Sequence, residues 1–175
     1  MQKMKPKHEK IVPKFNAAMS LEHFWVDEKN RLAYQAANYV THTPTPTPLC
    51  LYGASRTGKT HLLQAIANQI TLLRPQDKVI YVHAERYVAN LATPRGTPEA
   101  GQQYDSADVL LIDAIEFMAG HYQRQESLLT TLNVLRAAGK QFVCSSAQHP
   151  SELLGMDARL MAFFCECVAV EIGAA

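Results

Sequence analysis

Two rhythms of apolar residues alternate along this chain. Short, nearly unbroken apolar runs occur at Pro48-Leu49-Cys50-Leu51-Tyr52, Lys78-Val79-Ile80-Tyr81-Val82-His83, Asp108-Val109-Leu110-Leu111-Ile112-Asp113, Gln141-Phe142-Val143-Cys144-Ser145-Ser146 and Val168-Ala169-Val170-Glu171-Ile172. Runs of that length, without polar alternation, read as strands covered on both sides. Between them the spacing becomes helical. Lys29 to about Val40 puts Leu32, Ala33, Ala36 and Val40 on one side. Residues 58–73 turn Leu62, Leu63, Ile66, Ile70 and Leu73 inward, a short helix follows from Ala84 to about Leu91, and Gln123 to Ala138 carries a stripe of Leu128, Leu129, Leu132 and Leu135. Thr41 to Pro48 alternates Thr and Pro, which forbids helix and favours an extended connector. Residues 93–101 are rich in Pro and Gly and read as a loop. Strands alternating with helices predict an α/β fold of three layers, a five-stranded parallel sheet between two layers of helices.

Composition narrows this to one domain. A length of 175 residues suits a single full core. The net charge of +1 gives no bulk attraction to nucleic acid. The exception is the start, where Lys3, Lys5, Lys7, His8, Lys10 and Lys14 surround Glu9. We read residues 1–14 as disordered and place a basic, flexible arm at 1–20 ahead of a core at 21–175. The arm could meet DNA phosphates, although a solvated tail is the simpler account. Cys50 and Cys144 lie in strand-like runs and read as reduced core residues; Cys165 and Cys167, with no second Cys/His pair, make a poor zinc site. With no signal peptide and no apolar run of about 18 residues, the expectation is a cytoplasmic protein without membrane contact.

Candidate chemistry concentrates after the first strand. Gly53-Ala54-Ser55-Arg56-Thr57-Gly58-Lys59-Thr60 matches G-x-x-x-x-G-K-[ST] at every fixed position, and His61 continues into a helix. The glycines let backbone N–H groups approach phosphate oxygens, and the helix starting near Gly58 aims its positive end at them. Lys59 is expected to reach the β- and γ-phosphates of ATP or ADP, and the Thr60 hydroxyl to ligate Mg²⁺. Asp113 ends an apolar strand and is expected to hold the same Mg²⁺ from the other side, usually through water. An acid directly after such an aspartate commonly helps to orient water; here that position is Ala114, and Glu116 stands two residues further on.

These residues resemble the AAA+ core of the bacterial replication initiator DnaA and of its shorter relative, the Hda-type regulator. The likeness runs through Phe24-Trp25-Val26, Asn30-Arg31-Leu32-Ala33-Tyr34, Leu51 to Asn68, Tyr81-Val82-His83-Ala84-Glu85-Arg86, Asp108 to Asp113, Asn133-Val134-Leu135 and Gly139-Lys140-Gln141, covering roughly residues 20–172. The resemblance implies a P-loop NTPase of the AAA+ type. It implies that the segment before the first helix packs on adenine, a role carried to Phe24, Trp25 and Val26; core packing is an equal alternative for Trp25.

Three departures bear on hydrolysis. The family's Asp-Asp is Asp113-Ala114 here, its sensor-1 Thr-Ser-Asp is Ser145-Ser146-Ala147, and its arginine finger, four residues after the arginine aligned with Arg159, is Phe163. An arginine finger is worth about 10³–10⁵ in rate in related NTPases, so hydrolysis is expected to be very slow while binding survives.

DnaA itself continues into a helical lid and a helix-turn-helix domain, neither visible in this sequence, and grips single-stranded DNA between the second and third strands, where this chain has Pro94, Gly96, Pro98 and Gly101. DNA binding is therefore doubtful, and Met1 to Lys10 holds no clamp-binding motif of the Hda kind. The expected function is an ATP- or ADP-binding module that acts in or regulates replication initiation through a DnaA-type partner or self-association. The alternatives are an active DNA-binding ATPase of initiator or helicase-loader type, and a stable remnant without function.

Overall fold

The computed structural model describes residues 15–91 and 103–173. The lysine-rich start and the Pro- and Gly-rich segment 93–101 lie outside the described residues. Five strands, β1 (Leu49–Tyr52), β2 (Val79–His83), β3 (Val109–Asp113), β4 (Gln141–Ser146) and β5 (Val168–Glu171), form one sheet in the order β2-β3-β4-β1-β5. Every pairing is parallel, as the apolar runs predict. The helices that form the layers are α1 (Arg31–His42), α2 (Lys59–Leu73), α3 (Ala84–Leu91), α4 (Tyr122–Ala137) and α5 (Ala158–Cys165), and short 3₁₀ turns span Ile115–Met118 and Pro150–Glu152.

The two-residue period of the strands sorts the core into two clusters. Leu49, Leu51, Val109, Leu111 and Val143 pack with Ala33, Ala37 and Val40 of α1 and Leu62, Leu63, Ile66 and Ile70 of α2. Cys50, Leu110, Ile112, Phe142 and Cys144 face the other way, onto Tyr87 of α3, Leu128, Leu132 and Leu135 of α4, and Leu160, Phe163 and Phe164 of α5. The molecule is thus the expected three-layer sandwich, with β1, β3 and β4 buried on both faces; β5, read from its apolar run as covered on both sides, is an edge strand with Val168 and Glu171 exposed.

Several local expectations change. Helix α1 extends through Thr41 and His42, and it stops at Thr43, whose extended backbone (φ −118°, ψ 101°) is what the following Pro44 demands. Its buried side is Ala33, Ala37, Val40 and Thr41; Leu32 is 71% exposed. Leu73 is likewise exposed rather than inward. The inward position one turn after Ile70 is taken by Arg74, whose guanidinium donates to Gln141 Oε1 at 3.0 Å and lies 3.3 Å from Asp77. In α4, Leu129 is only partly buried, and the stripe is completed by Gln125 and Thr131. The amide of Gln125 donates to the carbonyls of Met118 (2.7 Å) and Gly155 (2.8 Å) and accepts from Asp157 N–H (2.5 Å), joining three segments beneath the sheet's carboxyl end.

Helix α5 has no counterpart among the sequence expectations, although its signals are present. Asp157 caps it by accepting from Arg159 N–H at 2.9 Å, and Leu160, Phe163 and Phe164 form its buried face. Residues 15–20, read from sequence as the end of a flexible arm, are instead fastened to α2. Asn68 Nδ2 donates to the carbonyls of Asn16 (3.0 Å) and Met19 (2.9 Å), Asn16 N–H donates to Gln64 Oε1 (3.2 Å), and Phe15 meets Tyr81 edge to face. No helix of the described residues is long and apolar enough to cross a membrane.

Candidate functional site

The loop Gly53–Gly58 leaves the carboxyl end of β1 and enters α2, while Asp113 and Ser146 end β3 and β4. Because β4 lies between β3 and β1, all three strand ends border one cleft, where ligands bind in open parallel sheets. The cleft holds about 380 Å³ and is lined by Ser55, Arg56, Gly58, Lys59, Thr60, Asp113, Ala114, Glu116 and Ala147.

The loop's glycines are required by its surroundings. A Cβ at Gly53 would fall 2.3 Å from the Ile172 carbonyl oxygen, and one at Gly58, where φ is 99°, would fall 2.7 Å from the Phe24 ring. Arg56 also adopts the left-handed region (φ 64°), and the buried Thr57 hydroxyl donates to the Ala54 carbonyl at 3.0 Å, bracing the turn from within. Lys59 Nζ folds back over the loop and donates to the carbonyls of Gly53 (2.7 Å) and Ala54 (2.5 Å). Burial pulls its ammonium below the ordinary lysine range; the Glu116 carboxylate, and then that of Asp113, oppose this.

Asp113, 1% exposed, is the floor of the cleft. Its Oδ2 accepts from the Thr60 hydroxyl at 2.7 Å and from the Tyr81 phenol at 2.8 Å, and its Oδ1 accepts from the buried Ser145 hydroxyl. Ser145 Oγ in turn accepts the Ala114 N–H at 2.8 Å. Burial, followed by the neighbouring Asp113 charge, pushes the Tyr81 phenol well up, so it remains a donor. Tyr81 and Ser145 were not expected in this role; both lie within strand-like runs, and only the register of β2 and β4 against β3 brings them to Asp113.

The pairing of Thr60 and Asp113 fits Mg²⁺. Two hard oxygen donors meet at the cleft floor and would hold the ion, Thr60 through its hydroxyl and Asp113 directly or through water. Among the described residues no cluster of three or more His, Cys, Asp or Glu could hold a metal ion by itself. A metal here would arrive with phosphates.

The other candidate residues sit at varying distance from the cleft. His61 faces outward from it; its Nε2 lies 2.8 Å from the Ser20 carbonyl and its ring meets Phe24 edge to face. Phe24, against Gly58, carries the segment before α1 to the rim of the loop. Trp25 is 79% exposed, which overturns the core-packing alternative, and Val26 is also exposed; neither is in the cleft lining. Asn30 fixes this segment by donating to the Trp25 carbonyl at 2.9 Å and accepting from Asp27 N–H at 2.9 Å.

Phe163, at the position the resemblance assigns to an arginine finger, is 4% exposed and packs on Phe142 and Phe164, with the Arg136 guanidinium 4.3 Å from its ring centre. Cys165 is exposed, Cys167 is buried, and both are free thiols.

Comparison with known proteins agrees with this geometry. The family "Bacterial DnaA ATPase domain" matches residues 15–171. The chromosomal replication initiator protein DnaA of Herminiimonas arsenicoxydans is 37% identical over 164 residues, 91% of this chain and 36% of the relative. A solved replication initiator DnaA, bound to AMPPCP and single-stranded DNA, superposes with a TM-score of 0.87 at 33% identity, covering 93% of this chain and 52% of that one. AMPPCP-bound DnaA from Aquifex aeolicus gives a TM-score of 0.84 at 32% identity, over 91% of this chain and 51% of its own. The chain spans about a third of the length of the curated relatives it matches.

Proposed function

The chain belongs to the bacterial DnaA ATPase-domain family, and from that premise we propose that it binds ATP or ADP with Mg²⁺ and acts in, or regulates, the initiation of chromosomal replication in the cytoplasm. The observation that carries this is the contact of Thr60 with Asp113 beneath a complete phosphate loop. The loop's N–H groups and the start of α2 receive the phosphates, Lys59 leaves its two carbonyls for the β- and γ-phosphates, and Thr60 and Asp113 hold the metal. Phe24 stands at the rim of the loop, and the exposed Trp25 and Val26 that follow it in sequence cover the base. Two of the relatives hold AMPPCP, which supports a nucleotide in the same cleft.

Hydrolysis is slow. Position 114 offers a methyl group, position 147 offers another, and position 163 is sealed in the core under Arg136. Bound nucleotide then acts as a persistent state rather than a fuel, and the protein works through contact with a DnaA-type AAA+ subunit or a second copy of itself. A subunit without a finger would cap a growing assembly. The test is co-sedimentation with a full-length DnaA in ATP–Mg²⁺: nucleotide-dependent association is expected, and its absence at micromolar concentrations would refute the partner role.

An active DNA-binding ATPase is favoured by one observation, the single-stranded DNA bound to a relative of the same fold and 33% identity. It requires DNA-stimulated turnover and a DNA affinity that falls steeply with salt.

A further inference from the structure

Among the described residues, Glu116 is the one carboxylate besides Asp113 that lines the phosphate cleft. It sits in the 3₁₀ turn after β3, between the two positions, 114 and 147, that carry alanine. Ala114 adopts the left-handed region (φ 60°), which turns the chain sharply after Asp113 and brings residue 116 back toward the cleft. There Glu116 Oε2 accepts the Ala147 N–H at 3.2 Å, across from the end of β4. The other oxygen, Oε1, has no hydrogen bond among those described and belongs to a half-buried side chain on the cleft wall. Its charge is felt by Lys59 more strongly than that of Asp113. Asp113, by contrast, has both oxygens engaged by hydroxyls. A carboxylate fixed by one oxygen to a backbone N–H, with its second oxygen unengaged on the wall of the cleft that Lys59 also lines, is placed to hold a water molecule rather than a metal.

We propose that Glu116 is the catalytic carboxylate of this chain, orienting the water that attacks the terminal phosphate of ATP. The proposal rests on the nucleotide-site reading given above. In the step it assists, the water oxygen bonds to the γ-phosphorus as the bond from that phosphorus to the β,γ-bridging oxygen breaks. ADP and inorganic phosphate are formed, and the proton shed by the water passes to Glu116 and from there to solvent. The residual, slow hydrolysis therefore depends on residue 116.

The experiment compares the whole chain with Glu116→Gln and with the double variant Ala114→Asp/Glu116→Gln, by equilibrium binding of ATP–Mg²⁺ and by single-turnover hydrolysis with protein in excess. Glutamine can keep the Ala147 contact and the packing but cannot take a proton. The expected result is unchanged ATP affinity within about threefold, a hydrolysis rate lower by about 10²-fold, the low end for general-base catalysis, and partial recovery in the double variant, whose aspartate restores an acid beside Asp113. If both proteins bind ATP and hydrolyse it equally fast, or if the variant merely binds ATP more tightly at an unchanged rate, the proposal is overturned while the nucleotide site stands. If the wild-type chain binds no ATP, the site itself fails and Glu116 with it.

Discussion

At the scale of single residues, the site depends on hydroxyls that hold one carboxylate still. Ser145 is the most demanding of them, since it is fully buried and serves both Asp113 and the Ala114 N–H. Replacing it by alanine leaves the partly buried Ala114 N–H and a buried carboxylate oxygen of Asp113 without this partner. Ser145→Ala is therefore expected to lower stability by about 1–3 kcal/mol, measured by urea unfolding, and to weaken Mg²⁺-dependent nucleotide binding more than Mg²⁺-free binding. Phe163 shows the opposite situation, a position whose chemistry has been surrendered to packing. Phe163→Arg does not create a finger, because the site lies under Arg136 and against Phe142 and Phe164. The loss of the buried ring alone costs about 3 kcal/mol or more, which at about 2–4 °C per kcal/mol for a chain of this size lowers Tm by about 6–12 °C. A variant that melts like the wild type would show that the position is not core.

At the scale of elements, the amino ends of β3 and β4 are joined at their base by an ion pair, Lys140 Nζ to Asp108 Oδ1 at 2.5 Å. Lys140, and next the Lys78 N–H, hold the Asp108 carboxyl below its ordinary value of 3.8. The folded pKa is thus lower than the unfolded one, so the stabilisation is fully present above about pH 4 and is lost as pH falls through the folded pKa. Asp108→Asn should flatten the acid limb of a stability–pH curve below about pH 4 and leave the shape at higher pH unaltered; an unchanged acid limb would contradict the pairing.

The elements themselves were legible to very different degrees. The strands could be read directly, because a strand covered on both faces is a short apolar run, as in β1, β3 and β4; the run Leu160 to Cys165 is equally apolar and forms a helix instead. The helix faces were less so. Leu32 and Leu73 are apolar yet exposed, and α1 buries Ala33, Ala37, Val40 and Thr41 instead. Helix α5 escaped notice since eight residues span only about two turns, too few for periodicity to stand out. In the site, the phosphate loop and Asp113 were plain from spacing. Tyr81, Ser145 and the placement of Glu116 depend on strand register and on the left-handed turn at Ala114, which no local pattern encodes.

At the scale of the whole molecule, three strand ends and one helix start converge on a single cleft, and the rest of the fold keeps them there. The anchored segment 15–20 and Phe24 back the loop from one side, while the Gln125 amide ties the turn after β3 to the approach to α5 on the other. The proposed function requires that this cleft receive a nucleotide through the phosphate loop. It is tested most directly by calorimetric titration of the whole chain with ATP–Mg²⁺ and with ADP–Mg²⁺, beside Lys59→Ala. With Lys59 supplying the charge to the phosphates as proposed, the expected result is saturable binding of at least one nucleotide by the wild type and a loss of affinity of about a hundredfold or more in the variant, in line with about 1.4 kcal/mol per tenfold for a charge-assisted contact worth about 3 kcal/mol. Absence of binding to either nucleotide, or equal binding by wild type and variant, would contradict it.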